Sequence, residues 1–211
     1  MTGARERMVR NQIEARGLTD PELLRAFRAV PRHRFVQSDA PYSDEALPLT
    51  EGQTISQPFI VALMTWLGRP HGGWRGERML EIGTGSGYQA AILAELGALV
   101  ISVERHAELS EQAGRRLADA GYDAARLVVG DGTRGWRAGA PYHAILVTAA
   151  GPSVPQPLLD QLADGGRLVM PVGERGHQTL TVVERRGDDF VTTAREPVVF
   201  VPLIGEFGFG D

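Results

Sequence analysis

A glycine-rich turn at residues 81–88, with the sequence EIGTGSGY, is the part of the chain best suited to hold a ligand. It follows a short apolar run, residues 78–82, and opens a segment with helical spacing, residues 88–96. Glycines in such a turn let a ligand approach the bare backbone, and the start of a helix offers free N–H groups. The residues expected to contact the ligand are Glu81, Gly83, Thr84, Gly85, Ser86 and Gly87.

The spacing of these glycines differs from the dinucleotide-binding fingerprint, G-x-G-x-x-G. After Gly83 and Gly85 the third glycine falls at position 87, and position 88 is a tyrosine. An oxidoreductase that uses a nicotinamide dinucleotide is therefore a weak alternative.

Acidic residues follow the next two predicted strands. Glu104, 21 residues after Gly83, comes after the run at 99–103, where a carboxylate can accept hydrogen bonds from both hydroxyls of a ribose. Asp131, followed by Gly132, comes after the run at 127–129 and could accept from an adenine amino group. Open α/β sheets bind ligands beyond the carboxyl ends of their strands, so these residues fit an adenosyl ligand. The alternative is that they only form turns.

Composition removes several classes of chemistry. The chain has 211 residues, a formal net charge of −4 and no cysteine, and all 22 of its basic residues are arginine. Thiolate metal sites, a cysteine nucleophile, a lysine Schiff base and a P-loop lysine are excluded. The five histidines lack metal-ligand spacing, so no metal is expected. The mild acidity argues against nucleic-acid binding, and the short apolar runs argue against a membrane segment or a signal peptide. We expect a cytoplasmic protein.

Apolar patterning predicts an α/β fold, with a doubly wound, mostly parallel sheet. The predicted strands are residues 78–82, 99–103, 127–129, 144–147 and 167–170, and the predicted helices are 59–67, 88–96, 107–120 and 157–162. A helix should also begin near Pro21 and stop at Pro31. Residues 179–184 and 197–203 should form an antiparallel hairpin around a turn at 186–189. We expect a single domain, 1–211, with a helical N-terminal region (1–70), a cofactor-binding core (76–173) and C-terminal antiparallel strands (174–211).

The E-x-G-x-G-x-G spacing resembles the first motif of S-adenosylmethionine-dependent methyltransferases, over roughly residues 78–170. The resemblance implies a Rossmann-like methyltransferase fold, with S-adenosyl-L-methionine as cofactor and S-adenosyl-L-homocysteine as its product. Glu104 and Asp131 stand where that superfamily contacts ribose and adenine. Glu81 would meet the methionyl ammonium, directly or through water, or else support the turn.

Nearly the whole chain resembles the protein-L-isoaspartate O-methyltransferases, and residues 52–58, GQTISQP, are the most specific stretch. The other matching stretches are residues 8–13, 42–48, 129–132, 140–150, 165–168, 171–173 and 200–203. Residues 59–61 lack the histidine of animal members, which makes the chain similar to the bacterial branch. His143 stands where the family has an aspartate, and Thr148 replaces a commoner glycine. Both are expected at or beside a strand end near the ligand.

This resemblance implies methyl transfer to the α-carboxylate of L-isoaspartyl residues in damaged proteins and peptides, which starts repair through a succinimide. Such a carboxylate, with a reference pKa of about 3.3 to 4, is ionised at neutral pH, so no general base is needed. Ser56 is expected to orient the attacking carboxylate as the catalytic residue. The substrate-binding residues would be Thr54, Ile55, Gln57, Pro58, Val201 and Pro202. Alternatively, Thr54 and Ser56 cap the following helix, and residues 198–203 are a plain edge strand.

Two other functions remain open from the sequence. A related enzyme could methylate an ordinary aspartate of a dedicated precursor peptide, for which the departures at His143 and Thr148 leave room. A non-catalytic module could bind S-adenosylmethionine and act through the basic N-terminal helix. The favoured partners are isoaspartyl proteins and peptides, with no nucleic acid, no membrane and no second subunit.

Overall fold

The computed structural model describes residues 1–210, and its seven longer strands form one sheet, here called the main sheet. These strands are β3 (Arg78–Ile82), β4 (Leu99–Glu104), β5 (Arg126–Val129), β6 (Tyr142–Val147), β7 (Leu162–Glu174), β8 (His177–Arg186) and β9 (Asp189–Val198). Their order is β5-β4-β3-β6-β7-β8-β9. Strands β3 to β7 pair in parallel, and β8 and β9 add to the β7 edge as antiparallel strands. The predicted doubly wound, mostly parallel α/β sheet is confirmed.

The direction of winding reverses between β3 and β6, which are neighbours in the sheet but distant in the chain. The central strands are apolar and fully covered, as Leu80 and Ile145 show with no exposed surface. Burial on both faces explains their continuous apolar runs. A crevice opens beyond the carboxyl ends of strands at such a reversal, and it is the usual place for a ligand in this architecture.

Helices cover both faces of the main sheet. They are α1 (Thr2–Met8), α2 (Pro21–Ala29), α3 (Pro58–Leu67), α4 (Tyr88–Glu95), α5 (Ala107–Ala120) and α6 (Gln156–Leu159), and α1 continues into a π-helical segment, Val9–Ile13. Helix α2 starts as predicted, since the Asp20 carboxylate accepts from the Leu23 N–H, and it ends before Pro31. Its buried face, including Phe27, packs into the same core as α3 and α4. No helix within residues 1–210 is long and apolar enough to cross a membrane.

A short antiparallel ribbon precedes α3. Strand β1 (Leu47–Pro48) pairs with β2 (Thr54–Ile55), and the turn between them contains Glu51 and Gly52 with positive φ values of 56° and 64°. The ribbon places residues 54–56, here called the dividing segment, at the mouth of the crevice.

The C-terminal strands differ from the prediction. The turn at Gly187 and the strand over 179–184 are found, but the second strand is Asp189–Val198 rather than residues 197–203. The cause is that β9 lies at the edge with almost every residue exposed, so it carries no apolar signal. Residues 199–203 leave that edge and return to the centre, where Pro202 bridges Ala150. The last helix also differs from the predicted 157–162: it covers Gln156–Leu159, and Leu162 already belongs to β7.

The predicted division into residues 1–70, 76–173 and 174–211 stays a prediction. Its last residue, Asp211, lies outside the described residues.

Candidate active site

A cavity lies beyond the carboxyl ends of β3, β4 and β6, where the winding reverses. It brings together predicted site residues from five separate parts of the chain: Thr54, Ile55, Ser56, Glu81, Gly83, Thr84, Gly85, Ser86, Glu104, Gly132, Val201 and Pro202. We call it the cofactor cavity, because it contains the glycine turn.

The backbone conformation of the turn requires glycine at three positions. Gly83, Gly85 and Gly87 have φ values of 93°, 50° and 87°, a region that other residues rarely occupy. A Cβ atom on Gly83 would collide with the Thr148 hydroxyl, and that hydroxyl donates to the carbonyl of Ile82 or Gly83, at 3.0 and 2.8 Å. The turn therefore brings the backbone to the cavity with no side chain in between.

Gly87 has a different position from the other two. It is the N-cap of α4, and a Cβ atom there would meet Ala113 and Leu117 of α5. Its predicted cofactor contact stays a prediction, and the observed role of this glycine is close packing of α4 against α5.

Glu81 is a fully buried carboxyl group in the cavity wall. One oxygen, Oε2, accepts from Ser102 Oγ at 2.5 Å, and Ser102 Oγ also shares a hydrogen bond of 2.6 Å with Thr84 Oγ1. Burial raises the pKa of Glu81 to about 8; the Ser102 hydrogen bond opposes this rise and the nearby Glu104 adds to it.

The other Glu81 oxygen, Oε1, is buried and finds no hydrogen-bond partner within residues 1–210. An orphaned buried acceptor is costly, so it calls for a donor from a ligand. The ammonium of an amino-acid group, such as the methionyl end of S-adenosylmethionine, fits this requirement. Ser102 was missed by sequence reasoning, although a serine inside the buried apolar run of β4 was the available signal.

Glu104 is nearly buried at the end of β4 and is oriented by backbone N–H groups. Its carboxylate accepts from Gly85 N at 3.0 Å and from His106 N at 3.1 Å. Two carboxylate oxygens offer about four acceptor positions, so capacity remains for ribose hydroxyls.

Asp131 is engaged by hydrogen bonds from within the chain. Its carboxylate accepts from Thr133 N and Oγ1 and from Glu206 N, at 2.9, 2.7 and 2.9 Å. Burial disfavours its charged form, but the hydrogen bonds from Glu206 and Thr133 outweigh burial and lower the pKa. Gly132 lines the cavity, whereas Asp131 holds the C-terminal segment beside it. The adenine contact of Asp131 stays a prediction.

The dividing segment separates the cofactor cavity from a second cavity of about 700 Å³. Thr54 and Ser56 line both cavities. The second cavity is also lined by Gln57 and Ile60 at the start of α3, by Gln178 near the start of β8, and by residues 197–200 at and after the end of β9. We call it the peptide cleft.

Ser56 and Thr54 are not helix caps, which excludes the alternative role. Helix α3 begins at Pro58 with Gln57 as its N-cap, and within the described chain no side chain bonds to that helix start. Pro58 is buried as the first helical residue, and Ile55 is buried in the core.

The two departures from the family pattern lie at opposite ends of β6. Thr148 lines the cofactor cavity, as expected. The expectation for His143 is wrong, because it lies at the start of the strand, with Nδ1 2.7 Å from Glu77 Oε2 and 3.2 Å from Arg78 N. Ligands in such sheets bind at the other end of the strands.

Metal ligands do not cluster in this site. Throughout residues 1–210, no group of three or more histidine, aspartate or glutamate residues is placed to hold a metal ion.

Known proteins match the chain over nearly its whole length. The family model described as protein-L-isoaspartate(D-aspartate) O-methyltransferase (PCMT) matches residues 3–208. A protein-L-isoaspartate O-methyltransferase of Methanoculleus marisnigri is 53% identical, over 97% of this chain and 93% of the relative. The enzyme of the same name from Methanospirillum hungatei is also 53% identical, over 97% of this chain and 95% of the relative.

Two solved structures superimpose on nearly the whole chain. A structure named protein-L-isoaspartate O-methyltransferase superimposes with a TM-score of 0.86 at 29% identity, over 97% of this chain and 67% of that one. A Plasmodium falciparum structure in complex with S-adenosyl-L-homocysteine shares the fold, with a TM-score of 0.81 at 22% identity, over 96% of this chain and 97% of that one. The chain therefore belongs to the protein-L-isoaspartate(D-aspartate) O-methyltransferase family.

Proposed function

We propose that this chain transfers the methyl group of S-adenosyl-L-methionine to the α-carboxylate of L-isoaspartyl residues in proteins and peptides, which starts their repair through a succinimide. The observation that carries the proposal is the dividing segment, because Thr54 and Ser56 face the cofactor cavity and the peptide cleft at once. Family membership supports the same activity.

The cofactor cavity has the donors and acceptors that S-adenosylmethionine needs. Glu81 Oε1 would accept from the methionyl ammonium, and the Glu104 carboxylate from the ribose hydroxyls. The bare backbone of Gly83 and Gly85 would lie against the ligand, with Thr84, Ser86 and Gly132 beside it. When bound, the cofactor supplies a methyl group on a positively charged sulfur.

The chain's own contribution is placement rather than proton transfer. A free α-carboxylate is already ionised at neutral pH, since its reference pKa is about 3.3 to 4. The hydroxyls of Ser56 and Thr54 can each donate to a carboxylate oxygen without giving up a proton. Such positioning, with water excluded, can be worth up to about 7 to 11 kcal/mol of a reaction barrier. Ser56 is the residue we assign to orient the carboxylate.

The far wall of the cofactor cavity helps to exclude water. Val201 and Pro202 line it, and Ala150 holds them there, donating to Val201 O at 2.8 Å and accepting from Leu203 N at 2.7 Å. The apolar side chains at 201–203 line the same cavity as the dividing segment and would help to keep water from the reacting groups.

The peptide cleft suits a substrate held mainly by its backbone. It is bounded by Gln57 on one side and by the end of β9 on the other, where residues 197–200 leave the sheet. Recognition of main-chain groups tolerates many side chains, as a repair enzyme requires. A monomeric state, a cytoplasmic location and the absence of nucleic-acid and membrane partners stay predictions.

Labelled methyl transfer to matched peptides tests the proposal. We expect a base-labile methyl ester on an isoaspartyl peptide and none on the same peptide with ordinary aspartate. In Ser56→Ala the loss of one charged hydrogen bond should lower kcat/KM by about 10- to 100-fold, while S-adenosylhomocysteine affinity stays unchanged. Ser38→Ala, at an exposed serine outside both cavities, is the matched control.

Other outcomes would support other functions. Equal labelling of both peptides would indicate a methyltransferase for ordinary aspartate, and binding of S-adenosylhomocysteine without any transfer would indicate a binding module. No feature of the cavities favours either of these, and His143, one of the departures that left room for the former, lies away from the ligand.

A further inference from the structure

A third cavity, of about 370 Å³, lies between the end of α3 and the opposite end of the β8–β9 hairpin from the peptide cleft. Four arginines line it, so we call it the arginine cleft. Its charged side chains within the described chain are Arg69, Arg167, Glu184, Arg186 and Arg195.

The arginine cleft has an excess of positive charge, with four arginines against one glutamate. Glu184 is fully engaged, since it pairs with Arg186 at 2.9 Å and with Arg167 at 3.3 Å. Arg69 and Arg195 are left without a carboxylate within residues 1–210. The arginine cleft therefore carries a net positive charge, although the formal net charge of the whole chain is −4.

Arg69 is held ready for an anion. Its guanidinium lies 5.7 Å from the Trp66 ring and 4.9 Å from the Trp74 ring, and its buried Nε finds no acceptor among the described residues. A guanidinium that lies near two aromatic rings has less freedom to lose on binding, and its planar donors match a carboxylate. Arg195, on the exposed edge strand β9, lines the same cleft.

The arginine cleft and the peptide cleft are bounded by the same elements. Gln57 and Ile60, at the start of α3, line the peptide cleft, while Trp66 and Leu67, at its end, line the arginine cleft. On β9 the corresponding positions are 197–198 and 191–195. Helix α3 has 10 residues and is therefore about 15 Å long, a span covered by about four to five extended residues.

We propose that the arginine cleft binds acidic side chains of the substrate polypeptide, four to five residues from the isoaspartyl site. The proposal rests on the proposed function and adds a sequence preference to it. Acidic residues at that spacing would lie against Arg69 and Arg195 while the damaged residue lies at Ser56.

Steady-state methylation of designed isoaspartyl peptides tests this preference. One pair of peptides carries two glutamates or two glutamines at the fourth and fifth positions before the isoaspartyl residue, and a second pair carries them after it. With exposed ion pairs of ordinary strength, we expect the glutamate peptide of one pair to have a KM lower by about five-fold. Added salt should shrink the difference.

Arg195→Gln should remove that difference and leave the glutamine peptide unaffected, since Arg195 is an exposed edge residue. Arg137→Gln, which removes the same charge from an exposed site outside the three cavities, should retain the difference. Equal KM values for glutamate and glutamine peptides in both pairs would overturn the inference, as would a difference that survives in Arg195→Gln.

Two further results separate the explanations. Absence of methylation on every isoaspartyl peptide would refute the proposed function itself, whereas methylation with equal KM values refutes only the preference. Thermal stabilisation by inorganic phosphate that disappears in Arg195→Gln, without any KM difference between peptides, would assign the arginine cleft to a small free anion instead.

Discussion

Replacing Glu81 by glutamine should change how the stability of the protein depends on pH. Glutamine has the shape of the protonated acid, and it can still accept from Ser102. The folded chain holds the Glu81 proton up to a pKa of about 8, whereas the ordinary value is 4.5. Between these values the folded state binds more protons than the unfolded state. The free energy of unfolding must therefore fall as pH rises through this window.

The size of the effect follows from proton linkage. For one proton, each pH unit inside the window lowers the free energy of unfolding by at most about 1.4 kcal/mol. From pH 5.5 to 7.5 the wild type should lose about 2 to 3 kcal/mol more than Glu81→Gln. For a chain of this length that is a relative shift in Tm of about 5 to 10 °C.

Urea unfolding of both proteins at several pH values measures this difference directly. Glu111→Gln, which removes the same charge from an exposed side chain on α5, should follow the wild type. If the wild type and Glu81→Gln gave parallel curves of stability against pH, Glu81 would be ionised when folded, and the reasoning from its burial would be refuted.

Other substitutions test the turn and the C-terminal segment. Gly83→Ala should be destabilised by at least about 1 to 2 kcal/mol from its left-handed backbone alone, and the collision of the new Cβ atom with Thr148 should add to this loss. In urea unfolding, the second substitution Thr148→Gly should recover only the part due to the collision. Full recovery of stability would contradict the backbone argument. Asp131→Ala should speed hydrogen exchange at the Glu206 amide by roughly 5- to 30-fold, since the charged acceptor of that amide is lost, while amides of β3 keep their protection. Unchanged exchange at Glu206 would show that its bond to Asp131 does not hold the segment. The wild type should show the same loosening only at strongly acidic pH, because the pKa of Asp131 is lowered.

Elements with local signals could be predicted from the sequence. The strand Arg78–Ile82 and the helix Ala107–Ala120 match the prediction at both ends. Their signals are a continuous apolar run and a regular helical spacing, which depend on near neighbours only. Strand β9 could not be found in this way, because an exposed edge strand contacts one partner strand and leaves its side chains in water.

The candidate site was predictable where each contributing stretch carries a local motif of its own. The turn from Glu81 to Gly85 is one compact motif, and the structure places it in a single cavity. The hydrogen bond between Asp131 and Glu206 joins residues 75 positions apart, so no local sequence pattern could predict it. The strand end at which His143 lies likewise depends on where β6 begins.

The dividing segment between the two cavities is held by few backbone hydrogen bonds. Ribbon strands β1 and β2 pair at two positions, Leu47 with Ile55 and Pro48 with Thr54, where proline has no N–H to contribute, and Leu49 N donates to Gln53 O at 2.8 Å beside them. Segments with so few backbone hydrogen bonds open at a small fraction of the global unfolding free energy. Local opening of this ribbon would join the two cavities while the main sheet stays folded, so the separation of cofactor from peptide depends on a smaller structure than the fold itself does.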